Sequence, residues 1–152
     1  MKFSSIGHIA MRVADVDRSL AFYVGKLGLR EMFRLHRDSG ELWLLYLRVT
    51  DDQYIEIFPN ATGEQAPDTQ ANGLNHLCLT VDNIEETIGD LNKAGIDLFM
   101  PLKVAADGNK QAWIKDPDGN RIELMQMEPD CKQALAVAAL KRARAVAAQS
   151  GS

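Results

Sequence analysis

The 152-residue sequence predicts an α+β fold of two tandem βαβββ modules followed by a C-terminal helix. Three observations carry that prediction. Sliding the chain by 68 positions lays His8-Ile9-Ala10-Met11-Arg12-Val13 over His76-Leu77-Cys78-Leu79-Thr80-Val81, matching the histidine and every apolar position. Each copy then changes from strand-like alternation to helical spacing and back to strand-like runs. The Ala-rich end of the chain has no counterpart in the first half.

Taken in order, Ile9, Met11 and Val13 alternate with His8, Ala10 and Arg12, the pattern of a half-buried strand. The repeat continues with Val16 over Ile84, Asp17 over Glu85, Ser19 over Thr87 and Leu20 over Ile88. A helix opens at this acidic cluster in each copy. It carries Leu20, Phe22, Tyr23 and Leu27 in the first and Ile84, Ile88 and Leu91 in the second, and stops at Gly28 and Gly95. Strands are expected over residues 31–36, 42–49 and 54–58, and again over 97–104, 111–115 and 121–127, with Asp116-Pro117-Asp118-Gly119 as a turn. The expected organisation is one domain, residues 1–129: a module over about 5–58, a Pro/Gly/Asn-rich linker over 59–73 and a module over about 74–127. Residues 130–152 follow as a helix and short tail.

Composition excludes several classes. Hydrophobic residues at 46% and charged residues at 25% are those of a globular protein, not of a collagenous or disordered one. Residues 1–129 hold thirteen basic against twenty acidic residues, whereas residues 130–152 hold four basic against one acidic. An acidic body lacks the coherent basic face that nucleic acid requires, and the basic tail reads as a solvated helix face. No apolar run approaches the ~20 residues of a membrane span. Cys78 and Cys131 alone suggest neither a disulfide framework nor a thiolate metal site. The expectation is a cytoplasmic protein with no nucleic-acid or membrane partner.

The repeat selects four residues for chemistry. His8 and His76 open the two copies, and Glu56 and Glu123 stand in the last strand of each, 48 and 47 residues on. A lone glutamate between apolar strand neighbours points to solvent by alternation. Two imidazoles and two carboxylates repeated by pseudo-symmetry instead make a ligand set for a divalent transition metal, whose charge the carboxylates balance. Ni²⁺, Co²⁺, Mn²⁺ and Zn²⁺ all suit such a set, and two positions of an octahedron remain open. His36 falls over Val104 under the same shift, outside the repeated framework, and is expected to be an exposed strand residue.

Gly7-His8-Ile9, Arg18-Ser19-Leu20-Ala21-Phe22-Tyr23, Leu27-Gly28-Leu29, Asn75-His76-Leu77 and Lys115-Asp116-Pro117-Asp118-Gly119-Asn120-Arg121-Ile122-Glu123-Leu124 together resemble the vicinal oxygen chelate superfamily over residues 6–127. The resemblance implies that the modules form a cupped mixed sheet around a metal held by His8, Glu56, His76 and Glu123. The His, Glu, His, Glu order is similar to that of the glyoxalases of lactoylglutathione lyase type, which act on a small-molecule hemithioacetal of glutathione and methylglyoxal. That implies glutathione as a cosubstrate, Glu123 or Glu56 as the base that moves a proton along an enediolate, and a role in methylglyoxal detoxification. Arg12, ~13 Å beyond His8 on the same strand face, and Asn60 match positions that hold the γ-glutamyl carboxylate. Ala61-Thr62-Gly63 departs from the family pattern, which commonly has a tryptophan after that asparagine.

A metal-dependent epimerase of a sugar or an acyl-CoA remains the alternative. A ring-cleaving dioxygenase uses one carboxylate fewer, and a non-catalytic antibiotic binder leaves the four residues without a role. The resemblance further implies a twofold homodimer, with each metal site built within one chain or between two.

Overall fold

The structure is a computed structural model that describes residues 3–63 and 65–150. It comprises two compact units: residues up to Ala71 with Asp116–Asn120, and Asn72–Lys115 with residues from Arg121 onward. The last two tail residues, 151 and 152, lie outside the described range.

In the first unit, β1 (His8–Arg12), β2 (Arg30–His36), β3 (Leu42–Arg48) and β4 (Tyr54–Phe58) form a mixed sheet in the order β1-β4-β3-β2. β1 runs parallel to β4, and the other pairs are antiparallel. In the second, β5 (Leu77–Thr80), β6 (Met100–Val104), β7 (Lys110–Lys115) and β8 (Arg121–Gln126) repeat the pattern as β5-β8-β7-β6. The expected βαβββ modules are therefore present. The observed strands agree with the expected ones to within three residues at either end.

Alternation sorts each sheet into two faces. Leu45 pairs with Ile57 and Leu47 with Ile55, and all four are buried on the core side. Ala112 pairs with Leu124 and Ile114 with Ile122 on the corresponding side of the second sheet, where the helix α2 (Ile84–Lys93) packs on β7 and β8. The residues between these pairs, Tyr46 with Glu56 and Trp113 with Glu123, face the other way.

Both strand-to-helix junctions are capped by a short side chain. Asp15 accepts from Arg18 N at 2.9 Å, and Asn83 accepts from Glu86 N at 3.1 Å. The helices themselves differ. The second is regular to Lys93, but in the first α1 (Val16–Leu20) gives way to a π-helical turn over Ala21–Lys26, which sequence periodicity did not predict. A π-turn accommodates one extra residue in a helix, and the repeat counts it. From His8 to Leu20, as from His76 to Ile88, there are twelve positions, whereas Leu20 lies eight before Gly28 and Ile88 seven before Gly95. The closing bonds agree: Leu29 N donates to Tyr23 O, and its counterpart Ile96 N donates to Leu91 O, both at 2.9 Å, across a chain one residue shorter. Gly28 and Gly95 adopt φ of 74° and 67°, as helix-ending glycines do.

α3 (Lys132–Ser150) is anchored at its start, where Cys131 is buried, Lys132 N donates to Asp107 O and Asn109 Nδ2 donates to Gln133 Oε1. Leu135, Val137, Leu140 and Val146 beyond it are exposed. Among the described residues no helix is long and apolar enough to cross a membrane.

Candidate active site

The parallel pairing of β1 with β4 sets His8 opposite Tyr54, so Glu56 lies two residues further along on the same face. His8 Nε2 stands 3.4 Å from Glu56 Oε2. In the second unit, Leu77 is opposite Ile122, His76 lies just before β5, and the same two-residue offset brings His76 Nε2 to 3.1 Å from Glu123 Oε2. The two glutamate side chains are only 10% and 12% exposed, while those of the histidines are 48% and 32% exposed. Each carboxylate is thus held low in its sheet and meets an imidazole whose outer edge is open. A carboxylate this buried needs a positive partner or strong donors.

The donor chemistry fits a divalent transition ion: each unit offers one imidazole nitrogen and one carboxylate oxygen aimed toward each other. Two donors do not complete a site, and among the described residues no three His, Cys, Asp or Glu side chains gather into a group able to hold a metal.

Three further residues on these faces escaped the sequence reasoning. Tyr46, opposite Glu56, donates its hydroxyl to Glu56 Oε1, and this bond raises the phenol's pKa above its ordinary value, with burial adding to the effect. Trp113 occupies the corresponding place opposite Glu123, with its ring 4.7 Å from that of His76, but donates its N–H to Gln111 Oε1 at 2.7 Å. A signal was available, since each aromatic stands ten residues before its glutamate. Cys78 is opposite Glu123. Partial desolvation of its sulfur and the Glu123 carboxylate beside it push the thiol up to about 12, so it is not a thiolate at neutral pH.

Arg12 and Asn60 are both exposed. The Arg12 guanidinium donates to Pro59 O at 2.7 Å, lies over the Phe58 ring and borders a cavity of about 190 Å³ together with Ala14, Thr62, Gln65 and Asn120. Asn60 has a backbone role as well: its φ of 61° is left-handed, a conformation asparagine tolerates better than most residues. Its Nδ2 is 3.5 Å from Glu41 Oε1. His36 ends β2 exposed, as expected.

The Asp-Pro-Asp-Gly-Asn segment does more than turn the chain. Buried Asp116 accepts from Asp118 N, Asn120 N and Asn120 Nδ2, and from the Tyr23 hydroxyl at 2.8 Å. Asp118 accepts from Ala14 N and, at 2.5 Å, from Arg18 Nη2, fixing the loop that leads from β1 into α1.

Two mixed sheets of βαβββ connectivity, each bearing one histidine–glutamate pair, define a class of paired-module proteins. The chain belongs to the Glyoxalase/Bleomycin resistance protein/Dioxygenase superfamily, which its residues 5–124 match. Among its relatives, a probable lactoylglutathione lyase of Synechocystis is 32% identical over 78% of this chain and 92% of the relative. The uncharacterized protein YwkD of Bacillus subtilis is 30% identical over 83% and 99%, and the mitochondrial methylmalonyl-CoA epimerase of Homo sapiens is 26% identical over 80% and 73%. A crystal structure of a glyoxalase family protein from Enterococcus faecalis superposes with a TM-score of 0.72 at 35% identity, covering 83% of this chain and all of that one. α3 lies beyond the family match.

Proposed function

We propose that the chain is a metal-dependent, glyoxalase-like lyase that isomerises the hemithioacetal of a thiol and a 2-oxoaldehyde, with glutathione and methylglyoxal as the substrate pair. The observation that carries this reading is the repeated imidazole–carboxylate pair, with Nε2 to Oε2 separations of 3.4 and 3.1 Å in the two units. His8, Glu56, His76 and Glu123 would be the ligands of a divalent ion, Ni²⁺, Co²⁺, Mn²⁺ or Zn²⁺, each unit contributing one histidine–glutamate pair. When bound, the ion supplies a Lewis acid for the two vicinal oxygens of the substrate. Glu123 takes the proton from the carbon bearing sulfur and returns it to the adjacent carbon, so the redox change stays within the substrate and no external oxidant is consumed. Arg12 and Asn60 orient the thiol by a carboxylate, the exposed guanidinium supplying the charge. The working form is a twofold homodimer, which a solution mass of two chains would support.

Turnover of the methylglyoxal–glutathione hemithioacetal, measured with and without added Ni²⁺ or Zn²⁺, tests the reading. Activity is expected to require metal. Arg12→Ala is expected to raise KM about tenfold while kcat changes less, as loss of a ground-state contact does. Glu123→Gln is expected to keep metal and lose turnover. Absence of turnover with every metal would favour the second reading, an acyl-CoA epimerase. It uses the same proton transfer and is supported by similarity to the human epimerase.

A further inference from the structure

We propose that Tyr46 is a positioning residue that holds the Glu56 carboxylate in place for the ion by occupying Oε1 and leaving Oε2 turned toward His8. The inference rests on the metal-site reading above and adds to it a residue that acts through Glu56.

The sheet register sets Tyr46 directly across β3–β4 from Glu56, and its hydroxyl donates to Oε1. The other oxygen, Oε2, is the one turned toward His8 Nε2. A strong O–H donor on one oxygen fixes the carboxylate plane and aims a single lone-pair direction at the shared donor position. The phenol is itself held: its ring stacks on Phe33 at 4.6 Å and 27°, and the rings of His8 and Tyr54 meet it edge-on at 6.2 and 6.4 Å. These ring contacts keep the phenol oxygen beside Glu56.

The second unit repeats the carboxylate without the clamp. Trp113 stands where Tyr46 does, but its N–H goes to Gln111. The neighbour opposite Glu123 on its other side is Cys78, and a thiol is a weak donor. Ala10, the counterpart of Cys78, offers none. Each carboxylate of the repeat meets an imidazole, but Glu56 is also bound by a phenol and Glu123 has a thiol in its place.

The test is Tyr46→Phe, which keeps the ring and removes the donor. Dissociation constants for Ni²⁺ and Co²⁺ are measured by chelator competition, and the visible absorption of the Co²⁺ form reports its coordination. The variant is expected to bind both ions about tenfold more weakly, the usual cost of losing a partner of a metal-ligating group, and to show an altered Co²⁺ spectrum. In a Glu56→Gln background the same substitution is expected to change affinity less than twofold, because Tyr46 acts through Glu56. Unchanged affinity and spectrum in Tyr46→Phe would overturn the proposal while leaving the metal-site reading in place. A wild-type chain that binds no divalent ion would overturn both. A crystal structure of the Ni²⁺-loaded wild type gives a check that does not depend on the variant folding: Glu56 bound through both oxygens, or Tyr46 turned away from it, would likewise refute the assignment.

Discussion

Removing the Tyr23 hydroxyl tests its buried bond to Asp116, beside which the same hydroxyl makes only a weak contact with Met11 Sδ at 3.4 Å. Tyr23 is fully buried and Asp116 is 5% exposed, and the phenol donates to Asp116 Oδ2 at 2.8 Å. The other three donors to Asp116 come from its own turn and survive Tyr23→Phe, so the carboxylate loses one bond of four. A hydrogen bond to a charged group contributes about 1.5–3 kcal/mol. For a chain of this size each kcal/mol corresponds to about 2–4 °C in Tm, so Tm is expected to fall by about 3–12 °C. Urea unfolding at pH 7 measures the free energy directly. The pH dependence adds a signed check. Burial first, and then Asp116, raise the Tyr23 phenol well above its ordinary value. The folded state therefore holds the proton that an unfolded tyrosine releases near ~10. Stability from this group is fully present below ~10 and is lost as pH rises beyond it, at about 1.4 kcal/mol per pH unit. Tyr23→Phe has no such proton to hold, so the gap between wild type and variant is expected to narrow by about 1 kcal/mol between pH 10 and 11. A variant within about 0.5 kcal/mol of wild type at pH 7, or a gap constant from pH 9 to 11, would refute the reasoning.

Two further outcomes concern the first helix and the tail. Deleting exposed Gly25, whose Cα has open space around it, removes the extra residue of the π-turn and is expected to give a folded chain with an all-α first helix, read from the amide proton bonds of residues 21–27 by NMR; collapse of the fold would show that the turn is structurally required. A chain ending at Ala134 keeps Cys131 and Gln133 and loses the exposed Leu135, Val137, Leu140 and Val146, so its Tm is expected to stay within about 3 °C of wild type. A larger fall would mean that α3 covers a surface in the assembled protein.

The parts of this molecule legible in the sequence are those written as a period or a repeat. His8 with His76 and Glu56 with Glu123 are legible because each position recurs in the second half, and the strands because Ile9, Met11 and Val13 or Ile55 and Ile57 alternate. What was not legible depends on a partner distant in sequence. Asp116 reads as an ordinary turn residue until Tyr23, 93 positions earlier, is seen to donate to it. Tyr46 reads as one more aromatic strand residue until the antiparallel register sets it against Glu56. Alternation gives the face a residue occupies, but it does not give the neighbour on the adjacent strand.

The spacing of the two histidine–glutamate pairs shows how this fold tolerates irregularity without moving its chemistry. The pairs differ by one residue in separation, yet both glutamates lie two positions past the residue level with their histidine. A one-residue slip within a strand would turn the carboxylate to the core face, because side chains alternate. The extra residue is instead taken up between Leu20 and Gly28, in a helix segment where a π-turn absorbs it and the Leu29–Tyr23 bond restores the exit point that Ile96–Leu91 provides in the other copy. The strands that carry the glutamates keep an unbroken register, and the helix takes the insertion. The sequence difference between the halves therefore lies in the helix, and the two imidazole–carboxylate pairs keep the same offset.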